Sequence, residues 1–174
     1  AVMHAEPVAR LEATFAYQKE TPSEAGQAQL YRDGSYVGNA VLPLLLPGTQ
    51  VRIPFGVDDQ IRIAVRDERA ESGRRGIANR QMLSEHRRRY EVTNFHAGAL
   101  PIEIIDRLPV PKDSGIKVEV LQGATPPTTK DFEGKAGVLL WRLDGTPRKT
   151  ETIRHLYSVR YPADKELEEE EGGE

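Results

Sequence analysis

The chain has 174 residues, a net charge of −3, 38% hydrophobic and 29% charged residues, and no cysteine. That length suffices for one domain with its own core, and the missing cysteine excludes disulfide staples, thiolate nucleophiles and cysteine-bound zinc. No segment approaches the ~20 consecutive apolar residues of a membrane-spanning helix, and the opening "AVMHAEPVARLEA" carries no secretory-signal pattern.

Along the chain the dominant period is two. "RLEATFAY" sets Leu11, Ala13, Phe15 and Tyr17 against Arg10, Glu12 and Thr14. Asp33-Gly34 then separates "AQLYR" from "SYVGNAVL", and a two-residue Asp-Gly loop predicts a type I′ hairpin. The run "NAVLPLLLPG" is the most apolar stretch. Pro43 and Pro47 bracket three leucines, and proline belongs at strand ends and edges. Tyr36 to Leu42 therefore reads as the return strand, and Leu44 to Leu46 as a crossover that plugs the core.

"IRIAVR" alternates Ile61, Ile63 and Val65 with Arg62 and Arg66. The next segment breaks the pattern. Met82, Leu83, His86 and Tyr90 stand at helical spacing within polar surroundings, so a long charged loop is expected at about 67–86, with one helical turn near Asn79 to Glu85 and a strand from about Arg87 to Phe95. "GIKVEVL" and "TIRHLYSVRY" alternate again, the latter placing Ile153, His155, Tyr157, Val159 and Tyr161 on one face. "GVLLWRL" is apolar on both faces and reads as a central strand, with Trp141 as a core anchor. Twelve prolines and fifteen glycines, mostly between these runs, complete an all-β pattern. About nine strands with one dry face each predict an antiparallel two-sheet sandwich of immunoglobulin-like kind over residues 1–163, with a closed barrel as the alternative. Residues 164–174 carry a charge of −6 and leave the rest at +3; such a run reads as a solvated, disordered tail.

Two constellations could carry chemistry. Asp58 and Asp59 could bind a cation or divide acid and base roles. Adjacent strand residues point to opposite faces, however, and Asp side chains also cap turns through nearby amides. The second is the arginine-rich stretch of Arg66, Arg69, Arg74, Arg75, Arg80, Arg87, Arg88 and Arg89, which outnumber four acids and leave residues 66–89 at +4. Guanidinium forks grip carboxylates and phosphates. No aromatic residue for base stacking lies among them, and "GRRG" lacks the Lys-Ser/Thr ending of a phosphate loop. A solvated loop partly neutralised by its own acids, a docking loop for a protein or an acidic polymer, and last a nucleic-acid contact are the readings in order. In a strand, Arg88 would point away from Arg87 and Arg89. The histidines His4, His86, His96 and His155 form no close-spaced ligand pair, His155 reads as a core histidine, and neither Ser84 nor Ser158 sits in a nucleophile elbow. No metal, cofactor or catalytic signature emerges.

The order "LYRDGSYVG", "LPLLLPGTQVRIPFGVDDQIRI", "YEVTNF…LPIEIIDRLPVPKDSGIKVEVL", "GVLLWRLD" and "YSVRYPAD" resembles the C-terminal domain of the mucoidy inhibitor A-like bacterial proteins, from about Val8 to Lys165. The resemblance implies a fragment of a larger protein whose N-terminal region is coiled-coil-like. It implies a setting in the bacterial periplasm or envelope and carries across no catalytic residue. The expectation is a non-catalytic interaction module, with a separate protein or that coiled-coil region as its partner. A polyanion binder and an unrecognised polysaccharide-acting enzyme are the alternatives.

Overall fold

The computed structural model describes residues 7–75 and 81–162, with the side chains of residues 70–75 outside that description. The expected tail at 164–174 lies outside it as well. Among the described residues every regular element is a strand apart from a 3-10 turn at Phe132–Gly134, and no sheet closes into a barrel. The chain divides into two compact units, Ala1–Arg62 and Ile63–Glu174.

In the first unit, β1 (Arg10–Ala16) pairs with β4 (Gln50–Val57), and β2 (Gly26–Arg32) pairs with β3 (Ser35–Leu42), both antiparallel. The β2–β3 turn is the expected Asp-Gly loop. Asp33 and Gly34 take φ of 50° and 79°, the left-handed pair that matches the twist of a hairpin. Alternation sends Leu30 of β2 and Val51 and Ile53 of β4 inward, where they meet Tyr17 and Leu45 in one apolar cluster. Of the three leucines expected to plug the core, only Leu45 does so. Its backbone exchanges hydrogen bonds with Ser23 at 2.9 and 3.0 Å, which points its side chain inward. The strand-like alternation leaves Leu44 and Leu46 about half exposed.

The second unit holds two sheets. One has the order β5 (Ile61–Arg75), β6 (Gln81–Asn94), β11 (Thr150–Pro162), β8 (Lys117–Val120). The other has the order β7 (Ile102–Arg107), β10 (Val138–Leu143), β9 (Thr129–Lys130). The pairings of β6 and β8 with β11, and of β7 and β9 with β10, are antiparallel. β10 is central, as its two-sided apolar run predicts: Val138, Leu139, Leu140 and Trp141 are all buried.

The charged loop expected at 67–86 is a correction. Residues 67–75 continue β5, residues 81–86 open β6, and the described part of the expected helical turn, 81–85, is strand. Asn79 and Arg80 lie outside the described residues. The physical reason is that charge does not oppose a strand whose side chains can find cross-strand partners. The i, i+4 spacing of Met82, His86 and Tyr90 is equally a period-two spacing, because all three have even numbers. Period two is the one realised.

Candidate functional site

Parity on three strands of the second unit brings polar groups into its interior. On β6 the even positions Ser84, His86, Arg88 and Tyr90 share a face. On β11 the odd positions do so, and the register sets Val159, Tyr157, His155 and Ile153 opposite them in that order. On β7, Ile102, Ile104 and Asp106 share a face, and Asp106 reaches across from that sheet to the other.

Asp106 is the hub. Its Oδ2 accepts the Tyr90 hydroxyl at 2.6 Å and His155 Nδ1 at 2.8 Å, and Arg88 Nη1 lies 3.3 Å from the same oxygen. Its Oδ1 accepts the Arg107 backbone N–H at 2.7 Å. Arg88 carries the network on to β5, where its Nε and Nη2 donate to Asp67 Oδ2 at 3.0 and 2.5 Å. His155 is buried, with Trp141 and Tyr157 around its ring at centroid distances of 5.4 and 5.1 Å. Trp141 is anchored by an N–H bond to the Thr125 carbonyl at 3.0 Å. His86 stacks on Tyr157 at 4.7 Å.

The electrostatics follow from burial set against partners. Burial pushes the Asp106 carboxyl up. The hydrogen bonds from His155, Tyr90 and the Arg107 N–H, with the electrostatic pull of His155, outweigh it and hold the group at about 2. Burial first, then the bond to Asp106 and its negative charge, raise the Tyr90 phenol, against a smaller opposing effect of Arg88. Burial pulls the Arg88 guanidinium down, but Asp67 and Asp106 more than compensate and raise it. Burial raises Tyr157.

An ionised Asp106 can only accept, so Nδ1 of His155 is the donor. The ring is thereby oriented as in a His–Asp dyad, and Nε2 has no hydrogen-bond partner among the described residues. That Nε2 is itself buried, and no described hydroxyl bonds to it. The nearest Ser–His pairing is elsewhere: Ser84 Oγ lies 3.1 Å from His86 Nε2 and accepts Arg69 Nε at 3.3 Å. Ser84 is completely buried, which closes it to a substrate. The arrangement neutralises charge between two sheets.

The sequence-derived candidates fall elsewhere or are absorbed. Asp58 is 2% exposed; its Oδ1 accepts the Gln60 N–H at 3.2 Å and lies 3.7 Å from Arg32 Nη2. Asp59 is exposed, so the two carboxylates diverge. Arg66 is exposed and Arg69 meets Ser84. The side chains of Arg74, Arg75 and Arg80 lie outside the described residues. Arg87 and Arg89 face outward and pair with Glu85 and Glu91 at 2.8 and 3.2 Å, while Arg88 points inward to Asp67 and Asp106. That division of the triplet is the one strand alternation predicts. Among the described residues no group of three or more His, Asp or Glu could hold a metal ion. No described helix is long and apolar enough to cross a membrane.

Asp106 escaped the sequence reading, and Tyr90 entered it only as part of an expected helical face. The signal was present: "IEIIDR" places an aspartate at the third dry-face position after Ile102 and Ile104, and "TIRHLY" places His155 on the dry face of its strand. Charged or polar groups at inward positions of two strands imply that they meet.

These features define an all-β, antiparallel protein with a network of ionisable groups joined between two sheets through Asp106. The family described as a domain of unknown function, DUF4139, matches residues 5–163, and the chain belongs to it. That description does not carry the mucoidy inhibitor A-like name. Protein F37C4.5 of Caenorhabditis elegans is 26% identical over 161 residues, covering 86% of this chain. The chain spans 28% of the length of that curated relative. No solved structure matches.

Proposed function

We propose that the chain is a non-catalytic β-sandwich module that acts through protein–protein contacts. The observation that supports this is the closure of the Tyr90–Asp106–His155–Arg88 network: its carboxylate is occupied by four donors and its histidine is buried. General acid–base chemistry needs a group within hydrogen-bond reach of a substrate; here the Asp106 carboxylate is taken up by its donors, and the remaining His155 nitrogen, Nε2, is itself buried. The segment order from "LYRDGSYVG" to "YSVRYPAD" supports a further proposal. The module serves as the C-terminal domain of a mucoidy inhibitor A-like protein of the bacterial periplasm or envelope. Its partner is either another protein or the coiled-coil region of its parent. The carboxylate pairing of Arg87, Arg88 and Arg89 leaves less support for a polyanion-binding ribbon.

The test uses the full-length parent in its native cells. Photo-cross-linkers at exposed positions of this domain are expected to give adducts with a defined protein or with the parent's own N-terminal region. Tyr90→Phe, with a preserved melt, is expected to keep both the adducts and the cellular phenotype. Adducts absent at every surface position would overturn the contact reading. A phenotype lost while fold and adducts persist would instead identify catalysis.

A further inference from the structure

The strands of the first unit leave one edge chemically unguarded. A sheet edge offers unpaired backbone N–H and C=O groups, and proteins protect it with charge, proline or distortion. β1 carries Arg10 and Glu12, and β4 carries Arg52 and Pro54. In the second unit β5, β7 and β8 carry charges and β9 has two residues. β3 is uncharged, but it is bulged where the register shifts between Leu30 and Tyr31, and β4 lies beside it. β2, "GQAQLYR", has no proline and no charge before Arg32, and among the described strands it pairs with β3 alone.

The outward face of this hairpin is equally uncharged. Gln27, Gln29 and Tyr31 stand opposite Val41, Asn39 and Tyr36, and all six are exposed. Tyr31 and Tyr36 meet edge to face at 5.7 Å. Tyrosine is among the residues enriched at protein interfaces.

We propose that the β2 edge pairs antiparallel with β2 of a second copy of this chain, about a two-fold axis through Gln29, joining two hairpins into a four-stranded sheet. Two-fold pairing demands that the strand complement itself, and this one does. Gln29 meets Gln29 of the other copy, each amide both donor and acceptor. Gln27 meets Tyr31, and Ala28 meets Leu30. Arg32, the sole charge of the strand, meets Gly26. No like charges oppose, which in a ladder would destabilise the pair. One strand edge is a small interface, so the dimer is concentration-dependent.

This inference rests on the protein-contact reading, and its test separates the two. Sedimentation equilibrium of the chain over about a thousand-fold range of concentration is expected to show a monomer–dimer equilibrium. Gln29→Lys and Gln29→Glu each place like charges across the axis and should weaken self-association by roughly tenfold or more. Mixing the two variants should restore dimers as the mixed pair, a rescue that misfolded variants would not show. A monomer throughout the range, or a dimer indifferent to both substitutions, would overturn the inference. Cross-links to a different protein in cells would then still stand for the broader reading.

Discussion

The two units solve the problem of an interior in opposite ways. The Ala1–Arg62 unit gathers Tyr17, Leu30, Leu45, Val51 and Ile53 in a cluster whose one polar side-chain group, the Tyr17 hydroxyl, bonds the Thr21 carbonyl at 3.0 Å, while its buried Asp58 is met outside that cluster by the Gln60 N–H and Arg32. The Ile63–Glu174 unit buries Ile153, Leu140 and Val92 completely or nearly so, yet places an aspartate, a histidine, a tyrosine and an arginine between its sheets. An apolar cluster tolerates change in proportion to the volume removed. A buried polar network does not degrade gradually, because removing one member leaves the others desolvated and unpaired. The first interior is therefore expected to be forgiving and the second specific.

The sharpest way to break that contrast is Asp106→Ala. It strands His155 Nδ1, the Tyr90 hydroxyl and one side of Arg88 together, and is expected to cost about 3–5 kcal/mol in chemical denaturation. A loss below about 1 kcal/mol would mean that the network is ornamental. Leu45→Ala in the first unit should cost about 3 kcal/mol, through a cavity alone, with no change in pH dependence.

Acid offers the third test. The Asp106 carboxyl is held at about 2 in the fold, against ~3.9 when unfolded. A depressed folded value means that its stabilisation is present above pH ~4 and is lost as pH falls from ~4 through ~2. That loss amounts to about 2–3 kcal/mol. Unfolding free energies measured across this window should show the slope in the natural chain and a flatter one in Asp106→Asn. The smallest effect is expected outside both interiors: Arg89→Ala removes an exposed pair with Glu91 and should shift stability by less than about 0.5 kcal/mol. A larger shift would show that the outer arginines belong to the network after all.

Much of this was legible from residues alone. The Asp33-Gly34 turn, the inward Ile61, Ile153, Val159 and Tyr161, the two-sided burial of β10 and the opposed directions of Arg88 and Arg87 all follow from alternation and turn chemistry. The charged strand segments at 67–75 and 81–86 were not, because hydrophobic periodicity falls silent where a strand is polar on both faces. Asp106 was not either, although its parity with Ile104 hinted at an inward side chain.

The sequence by itself determined the class of structure and which face of each strand turns inward, because side-chain direction along a strand depends only on the strand's own backbone. Tertiary structure decided what those inward groups meet. Asp106 and His155 are 49 residues apart, and their 2.8 Å contact exists because β7 faces β11 across two sheets while β6 is held in register beside it. Strand order and register arise from pairing between distant segments, a property of the whole packed chain that no local pattern encodes.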